Sequence, residues 1–407
     1  MYDVIVIGGG ASGMMAAGTA ASFGKRVLVI EKMQRTCRKI LITGKGRCNV
    51  TNNCDNETVM KNTISNPKFL YSSLKNFSTE DTISFFENLS VPLKTERGNR
   101  VFPVSDNAMD IADALLRYCE NFSVKVLTDT VADVIIEDGI VSGVKTESGN
   151  VYSAPSVIVA TGGASFPKTG STGDGYSFAK RAGHTVNPLR PSLVGLKISG
   201  DDCKQMQGLS LKNTGLSLID KRNGKIIFED MGEMLFTHFG VSGPMVLSAS
   251  AFVTDNPNDY SIKIDLKPAL SKEKLDERIS RDFSQNLNKD FINSLDELLP
   301  KSMIPVIVKR SKINPHKKVN QITREERNFL CDVIKGFSLE VVGRAPMETA
   351  IITAGGVSTK EIDPKTMQSK IVKGLYFTGE VIDVDACTGG FNLQIAFATG
   401  YTAGINA

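Results

Sequence analysis

Four apolar residues, Val4-Ile5-Val6-Ile7, run straight into Gly8-Gly9-Gly10-Ala11-Ser12-Gly13, and an Ala- and Met-rich stretch follows to Phe23. This order constrains the fold more than any other feature of the chain. A short unbroken apolar run suits a strand buried on both faces. Residues 14–23 suit a helix that Gly24 ends. Val27-Leu28-Val29-Ile30 reads as a second strand, and a strand–helix–strand unit this short pairs its strands in parallel. The spacing Gly8-x-Gly10-x-x-Gly13 then acquires a physical meaning. Gly8 permits the tight turn, Gly10 lets the backbone approach a diphosphate, and Gly13 allows close packing of helix on strand. The helix start at Ala11 and Ser12 offers N–H groups and a positive dipole to the phosphates. Glu31 ends the second strand, where a carboxylate can accept from ribose hydroxyls. An acid there disfavours a 2′-phosphate, so the expected dinucleotide is FAD or NAD rather than NADP.

The rest of the chain falls into zones. Residues 131–136, 140–146 and 151–153 predict short strands, with turns at Asp138-Gly139 and Ser148-Gly149-Asn150, and residues 156–160 return to the main sheet. Beyond Pro188 and Pro191, residues 192–266 alternate short strands and turns, for example 216–219, Arg222-Asn223-Gly224 and 226–228, which predicts a small β-domain. Residues 271–336 read as helical and charged. Leu275, Ile279 and Phe283 share one face, and Thr323 with Glu326 fits a capping box. After Gly343 the glycine-rich α/β character resumes.

Composition narrows the class. The chain has 407 residues, 41% apolar and 23% charged, which is ordinary for a globular protein of two or three domains. The net charge of +4 demands no polyanionic partner. No apolar run approaches the ~20 residues of a membrane span, and Met1-Tyr2-Asp3 lacks a basic n-region. A cytoplasmic protein with seven reduced cysteines is therefore expected. No cysteine set has zinc spacing, so no metal is expected.

Several longer stretches carry a resemblance. The first glycine motif, the turn Ala160-Thr161-Gly162-Gly163 and the late Gly374-Leu375-Tyr376-Phe377-Thr378-Gly379-Glu380 resemble flavoproteins related to glutathione reductase. Three more are Lys39-Ile40-Leu41-Ile42-Thr43-Gly44-Lys45-Gly46-Arg47-Cys48-Asn49-Val50-Thr51-Asn52, Thr169-Gly170-Ser171-Thr172-Gly173-Asp174-Gly175-Tyr176 and Cys387-Thr388-Gly389-Gly390-Phe391-Asn392-Leu393-Gln394. Together they resemble the BaiN/RdsA flavoproteins, also called the aminoacetone oxidase family. That resemblance implies FAD and an α/β fold, with a Rossmann-like FAD-binding domain at 1–190 and 344–407. It implies an inserted β-barrel-like domain at 191–270 and 337–343 and a small helical domain at 271–336. These match the three zones.

The resemblance also implies where the cofactor is held. Gly8, Gly10, Ala11, Ser12, Gly13, Glu31, Lys32, Val131, Thr161, Gly162 and Gly163 are expected around it. So are Lys39, Thr43, Gly44, Gly46, Arg47, Cys48, Asn49, Gly379, Glu380, Asp383, Gly390, Phe391, Asn392, Leu393 and Gln394. In the wider superfamily an Asp usually follows the late glycine; here Glu380 takes that place and Asp383 follows, leaving open which acid serves. Gly44 and Gly46 let backbone N–H groups reach the flavin side, and Lys45 and Arg47 are expected to bring positive charge, which favours an anionic reduced flavin. A helix starting at Gly390 would act in the same way. Asn392 and Gln394 carry amides suited to the flavin rim.

Other signals are weaker. Cys48 and Cys54 are spaced C-x5-C, unlike the redox pairs of the disulfide reductases, and an inert Cys48 beside the cofactor is expected. Cys37 lies among Arg35, Arg38 and Lys39, which would activate a thiol if they lowered its pKa; an inert thiol is expected here too. Among three histidines, His238 is a candidate proton donor, as is Tyr176, and each also has an ordinary structural reading. Residues 301–318 carry six basic groups and no acid, suiting a solvated face, an anionic substrate, the phosphate of NADPH or RNA. Without interleaved aromatics a nucleic-acid partner is not expected.

No second G-x-G-x-x-G follows a strand, so a separate NAD(P)H domain is not expected. NAD(P)H either visits the flavin transiently, or an organic substrate reduces it. The first reading is a reductase of a hydrophobic, electron-poor C=C bond, by hydride transfer through flavin N5 from NAD(P)H. The alternatives are an oxidase of an amine or amino ketone that makes peroxide, an RNA-binding flavoprotein, and a redox sensor.

Overall fold

The computed structural model describes residues 1–254 and 256–407. The chain divides into two compact units, Met1–Ser192 with Pro346–Ala407, and Leu193–Ala345.

The first unit is built on a five-stranded parallel sheet. Its strands are β1 (Val4–Ile7), β2 (Val27–Glu31), β3 (Lys125–Thr128), β4 (Ser156–Val159) and β5 (Leu375–Phe377), in the order β5-β4-β1-β2-β3. All residues of β1 and β4 are buried, as continuous apolar runs in a sheet covered on both faces require. The registers are in line: Val4 pairs with both Ser156 and Val27, and Val157 with Leu375. Thus β5, more than two hundred residues later, completes the sheet that β1 begins.

Two helices lie against each other beside this sheet. The first (Ala11–Ser22) starts at the glycine turn, three residues earlier than the Ala/Met pattern predicts, and the last (Phe391–Asn406) closes the chain. Most residues of both are buried, and small residues let the two approach closely. A Cβ added at Gly400 would lie 2.4 Å from the Ser12 carbonyl oxygen, and one at Gly404 2.7 Å from that of Ala16. On its other side the first helix takes the Tyr118 ring at Gly18, where a Cβ would stand 2.3 Å from the ring. The predicted antiparallel meander is present as Val131–Glu137, Ile140–Thr146 and Val151–Ser153.

The second unit is a closed six-stranded barrel with helices. Leu196–Ile198, Ser210–Asp220, Lys225–Thr237, Gly240–Ser242, Tyr260–Asp265 and Phe337–Arg344 form the barrel. The two longest strands, Ser210–Asp220 and Lys225–Thr237, extend well beyond the expected 216–219 and 226–228 and pair antiparallel across two register shifts. In Phe337–Arg344 the odd residues Phe337, Leu339 and Val341 are buried while Ser338, Glu340 and Val342 face out, the period of two that a barrel wall demands. The helices Lys272–Ser284, Ile304–Ser311 and Arg324–Lys335 share one core with the barrel: Leu275, Ile279 and Leu330 belong to the same buried cluster as Leu216, Phe236 and Ile262. The capping box of Thr323 and Glu326 forms, each side chain bonding the other's backbone N–H.

Candidate active site

The carboxyl ends of β1, β4 and β5 bring distant segments together. At Gly8 (φ 99°) a Cβ would sit 2.7 Å from the Ala160 carbonyl oxygen, and at Gly13 it would sit 2.0 Å from that of Gly8. At Gly379 (φ 70°) it would meet Ser12 Oγ at 2.6 Å. Glycine at these positions is a packing requirement. Gly10 is different: a Cβ there would meet nothing within 4 Å. It faces open space at the start of the first helix, which has no side-chain cap and no acid in its first turn. The N–H groups of Ala11, Ser12 and Gly13 therefore have no acceptor within the helix.

Glu31 closes one side of this cradle. Its Oε2 accepts from the Gly9 N–H at 2.6 Å and its Oε1 from that of Met33 at 2.8 Å. Lys32 turns away and binds Thr172 and Asp174, the latter at 2.6 Å. Gly170 brings the 164–173 segment over the end of β2; a Cβ there would be 3.7 Å from Glu31 Oε1. Val131 begins the meander, buried and paired with Thr146.

A second cradle forms at the start of the last helix. Gly389 and Gly390 both have positive φ, 123° and 96°, and a Cβ on Gly390 would lie 2.3 Å from the Thr51 carbonyl oxygen. Asn52 donates to the Gly389 carbonyl at 3.0 Å. This helix too lacks a side-chain cap and first-turn acids, leaving the N–H groups of Phe391, Asn392 and Leu393 without helical acceptors. The loop after Thr43 leads here. Gly44, Lys45, Gly46 and Cys48 all have positive φ, and the Asn49 amide ties the loop to the carbonyls of Thr51 and Val101. Lys39 joins these regions through Glu380 (2.7 Å) and Ser165 (2.8 Å).

Several of the expected groups have partners within the protein. Glu380 accepts from Lys39, Ser165 and the Thr353 N–H, whereas Asp383 accepts from Asn66 and Asn187. Both acids are engaged within the protein. Arg47 does not bring uncompensated positive charge. Its guanidinium bridges Glu96 and Asp106 and stacks 4.2 Å over the Phe102 ring. The amides expected at the flavin rim are also engaged elsewhere. Fully buried Gln394 accepts from Thr51 and Thr82, each at 2.7 Å, and donates to the Phe77 carbonyl. Asn392 folds back on Ala386, accepting from its N–H at 3.0 Å and donating to its carbonyl at 2.8 Å.

No disulfide joins any of the seven cysteines among the described residues. Burial pushes the Cys48 thiol up to about 12 and the half-buried Cys54 up to about 11, and it raises Cys37 despite the bases around it in sequence. Of the proton-donor candidates, Tyr176 is enclosed, with its hydroxyl 3.5 Å from the Glu380 carbonyl and its phenol raised by burial. His238, in the second unit, stays exposed at a turn with its ring against Phe239. Half of the basic run is closely paired with acids: Arg310 binds Asp202 at 2.6 Å, Lys317 binds Glu326 at 2.7 Å, and Lys318 binds Asp290 at 2.8 Å. Sequence reasoning missed Ser165 and Thr353, which hold Glu380. They carry no local motif.

These residues fit FAD. The open cradle at Gly10 suits a diphosphate, and an acid-free helix start at Gly390 suits the pyrimidine side of a flavin. The buried hydroxyls of Thr161 and Thr378, just beyond β4 and β5, have no partner in the protein. Among the described residues no cluster of acids, histidines and cysteines could hold a metal, and no helix is long and apolar enough to cross a membrane.

The fold and these cradles define a FAD-dependent oxidoreductase with a Rossmann-like cofactor unit. More particularly, the chain belongs to the HI0933-like family, matching the HI0933-like protein Rossmann domain over residues 2–406. It is 31% identical to a 3-dehydro-bile acid delta(4,6)-reductase of Clostridium scindens, over 99% of this chain and 98% of that one. It is 30% identical to a ribosomal RNA dihydrouridine synthase of Escherichia coli, over 98% and 96%. The structure of 3-ketosteroid delta1-dehydrogenase from Sterolibacterium denitrificans shares the fold, with a TM-score of 0.50 at 13% identity, covering 99% of this chain and 98% of that one.

Proposed function

We propose that this protein reduces a C=C bond conjugated to a carbonyl in a hydrophobic small molecule, using FAD with NAD(P)H as a transient donor. The observation that carries the reading is the acid-free, uncapped start of the last helix beside two positive-φ glycines. When bound there, FAD supplies hydride transfer through N5. The chain's own part is to bind and bias. Glu31 orients the ribose, the N–H groups after Gly10 hold the diphosphate, and those after Gly390 favour negative charge on the reduced ring. Gly44, Gly46 and the backbone around Cys48 line the same end.

The names of the two relatives support the reaction class. A delta(4,6)-reductase and a dihydrouridine synthase both saturate a carbon–carbon double bond, and in uracil that bond is conjugated to a carbonyl. The second relative motivates a second reading, uracil in RNA as the acceptor. The pairing of Arg310, Lys317 and Lys318 with acids favours the small molecule.

The test is an anaerobic spectrum of the purified protein before and after NADH or NADPH, then after a steroid dienone or a uridine-containing RNA. Bleaching by a nicotinamide and recovery with the dienone support the proposal. Recovery only with RNA moves the substrate to the second reading. A flavin left oxidised by both nicotinamides but bleached by an amine, with peroxide formed in air, replaces reduction by oxidation.

A further inference from the structure

Asp385 has no part in the reading above, yet it is fully buried. It lies where three segments of the first unit meet. Its carbonyl accepts from the N–H groups of Ile64 (2.7 Å) and Ser65 (3.4 Å). Its Oδ2 accepts from Ser192 Oγ at 3.2 Å, at the end of the strand Val186–Ser192, and its Oδ1 has no hydrogen-bond partner. The next residue, Ala386, is held at both its N–H and its carbonyl by the Asn392 amide, in the first turn of the last helix. A carboxyl in a dry site is thus one residue from a clamp on the helix start that is to face the flavin.

We propose that Asp385 is a positioning residue of the flavin site: it links segments 62–65 and 190–192 to the first turn of the last helix, and the charge it carries sets the reduction potential there. This rests on the reading that the start of that helix faces the flavin.

An ionised carboxylate without a full set of donors is costly inside a protein. Burial raises the Asp385 carboxyl more than Ser65, Arg190 and Ser192 lower it, and Asp383 on the same loop raises it further. The segment 62–65 contributes no titratable side chain, so Arg190 and Asp383 are the charges that matter. While Asp385 is neutral, the helix start acts on the ring unopposed. Once it is ionised, a negative charge in low dielectric opposes an anionic reduced ring and lowers the potential. The proton moves between Asp385 and solvent, and no electron is exchanged with the side chain.

The experiment measures the midpoint potential of the FAD-loaded full chain against pH. In the wild type the potential should fall more steeply once the pH passes the ordinary carboxylate range. Asp385→Asn should lose this extra fall and keep the high-potential branch throughout. Ser192→Ala removes a donor that favours the ionised form, so the extra fall should begin at higher pH with the flavin still bound. If Asp385→Asn does not hold flavin, the shift in Ser192→Ala decides. Superimposable curves for loaded wild type and variants overturn the inference while leaving the FAD reading intact. A wild-type protein with no flavin spectrum overturns both.

Discussion

The first and last helices of the cofactor unit begin alike and are built differently. Each follows a glycine, and each lacks a side-chain cap and a first-turn acid. At the first, Gly10 has ordinary negative φ and open space where a Cβ would be. At the last, Gly390 is left-handed and pressed against the Thr51 carbonyl. One glycine leaves room for a ligand; the other lets the chain fold against itself. Two helix starts with the same electrostatics can therefore respond in opposite ways to the same added methyl group.

Substitutions separate the two. Gly390→Ala should destabilise the protein by about 3 kcal/mol or more, through left-handed strain plus the clash with Thr51. Thermal unfolding of cofactor-free protein checks this, and a change under about 1 kcal/mol would show that the segment near Thr51 yields. Gln394→Leu should cost about 2 kcal/mol, because Thr51, Thr82 and the Phe77 carbonyl lose their buried partner. If it instead leaves stability unchanged and alters only the flavin spectrum, the amide works on the cofactor after all.

Gly10→Val should change cofactor-free stability by less than about 1 kcal/mol, yet the purified protein should carry no flavin. A yellow protein of wild-type stoichiometry would break the assignment of the first cradle.

His184 gives a pH test away from both cradles. Burial lowers its pKa despite the pull of Glu361, 3.4 Å away, while its Nε2 bonds Ser369 at 2.7 Å. The unfolded chain binds the proton more readily, so stability is full above the ordinary histidine value of about 6.5 and is lost as pH falls below it. His184→Gln should flatten that acid slope in denaturant titrations; an unchanged slope would place its origin elsewhere. The smallest effect expected concerns Cys48 and Cys37. With thiols raised by burial they should react with a thiol reagent at neutral pH only as fast as the protein opens.

Much of the first cradle was legible in the sequence because it is local. Strand, glycine turn, helix and Glu31 follow one another within a single strand–helix–strand unit, and each residue type there answers to one steric or electrostatic need. The second cradle was legible as a glycine pair before a helix, but the duties of its side chains were not. Arg47 meets Glu96 and Asp106, and Gln394 meets Thr51, Thr82 and Phe77, across separations that no periodicity records. A charged or amide side chain takes the nearest good partner, and folding decides which partner is near.

The sequence by itself determined the parallel sheet, the dinucleotide turn, the meander and the amphipathic helices, because these follow from backbone sterics and from periods of two and 3.6 residues. Only the tertiary structure decided that β5 joins β4, that Gly379 and Gly400 both close on Ser12, and that an acid at position 385 is sealed from water beside the last helix. Those outcomes depend on close packing between residues far apart in the chain, where the room left by one side chain is set by another.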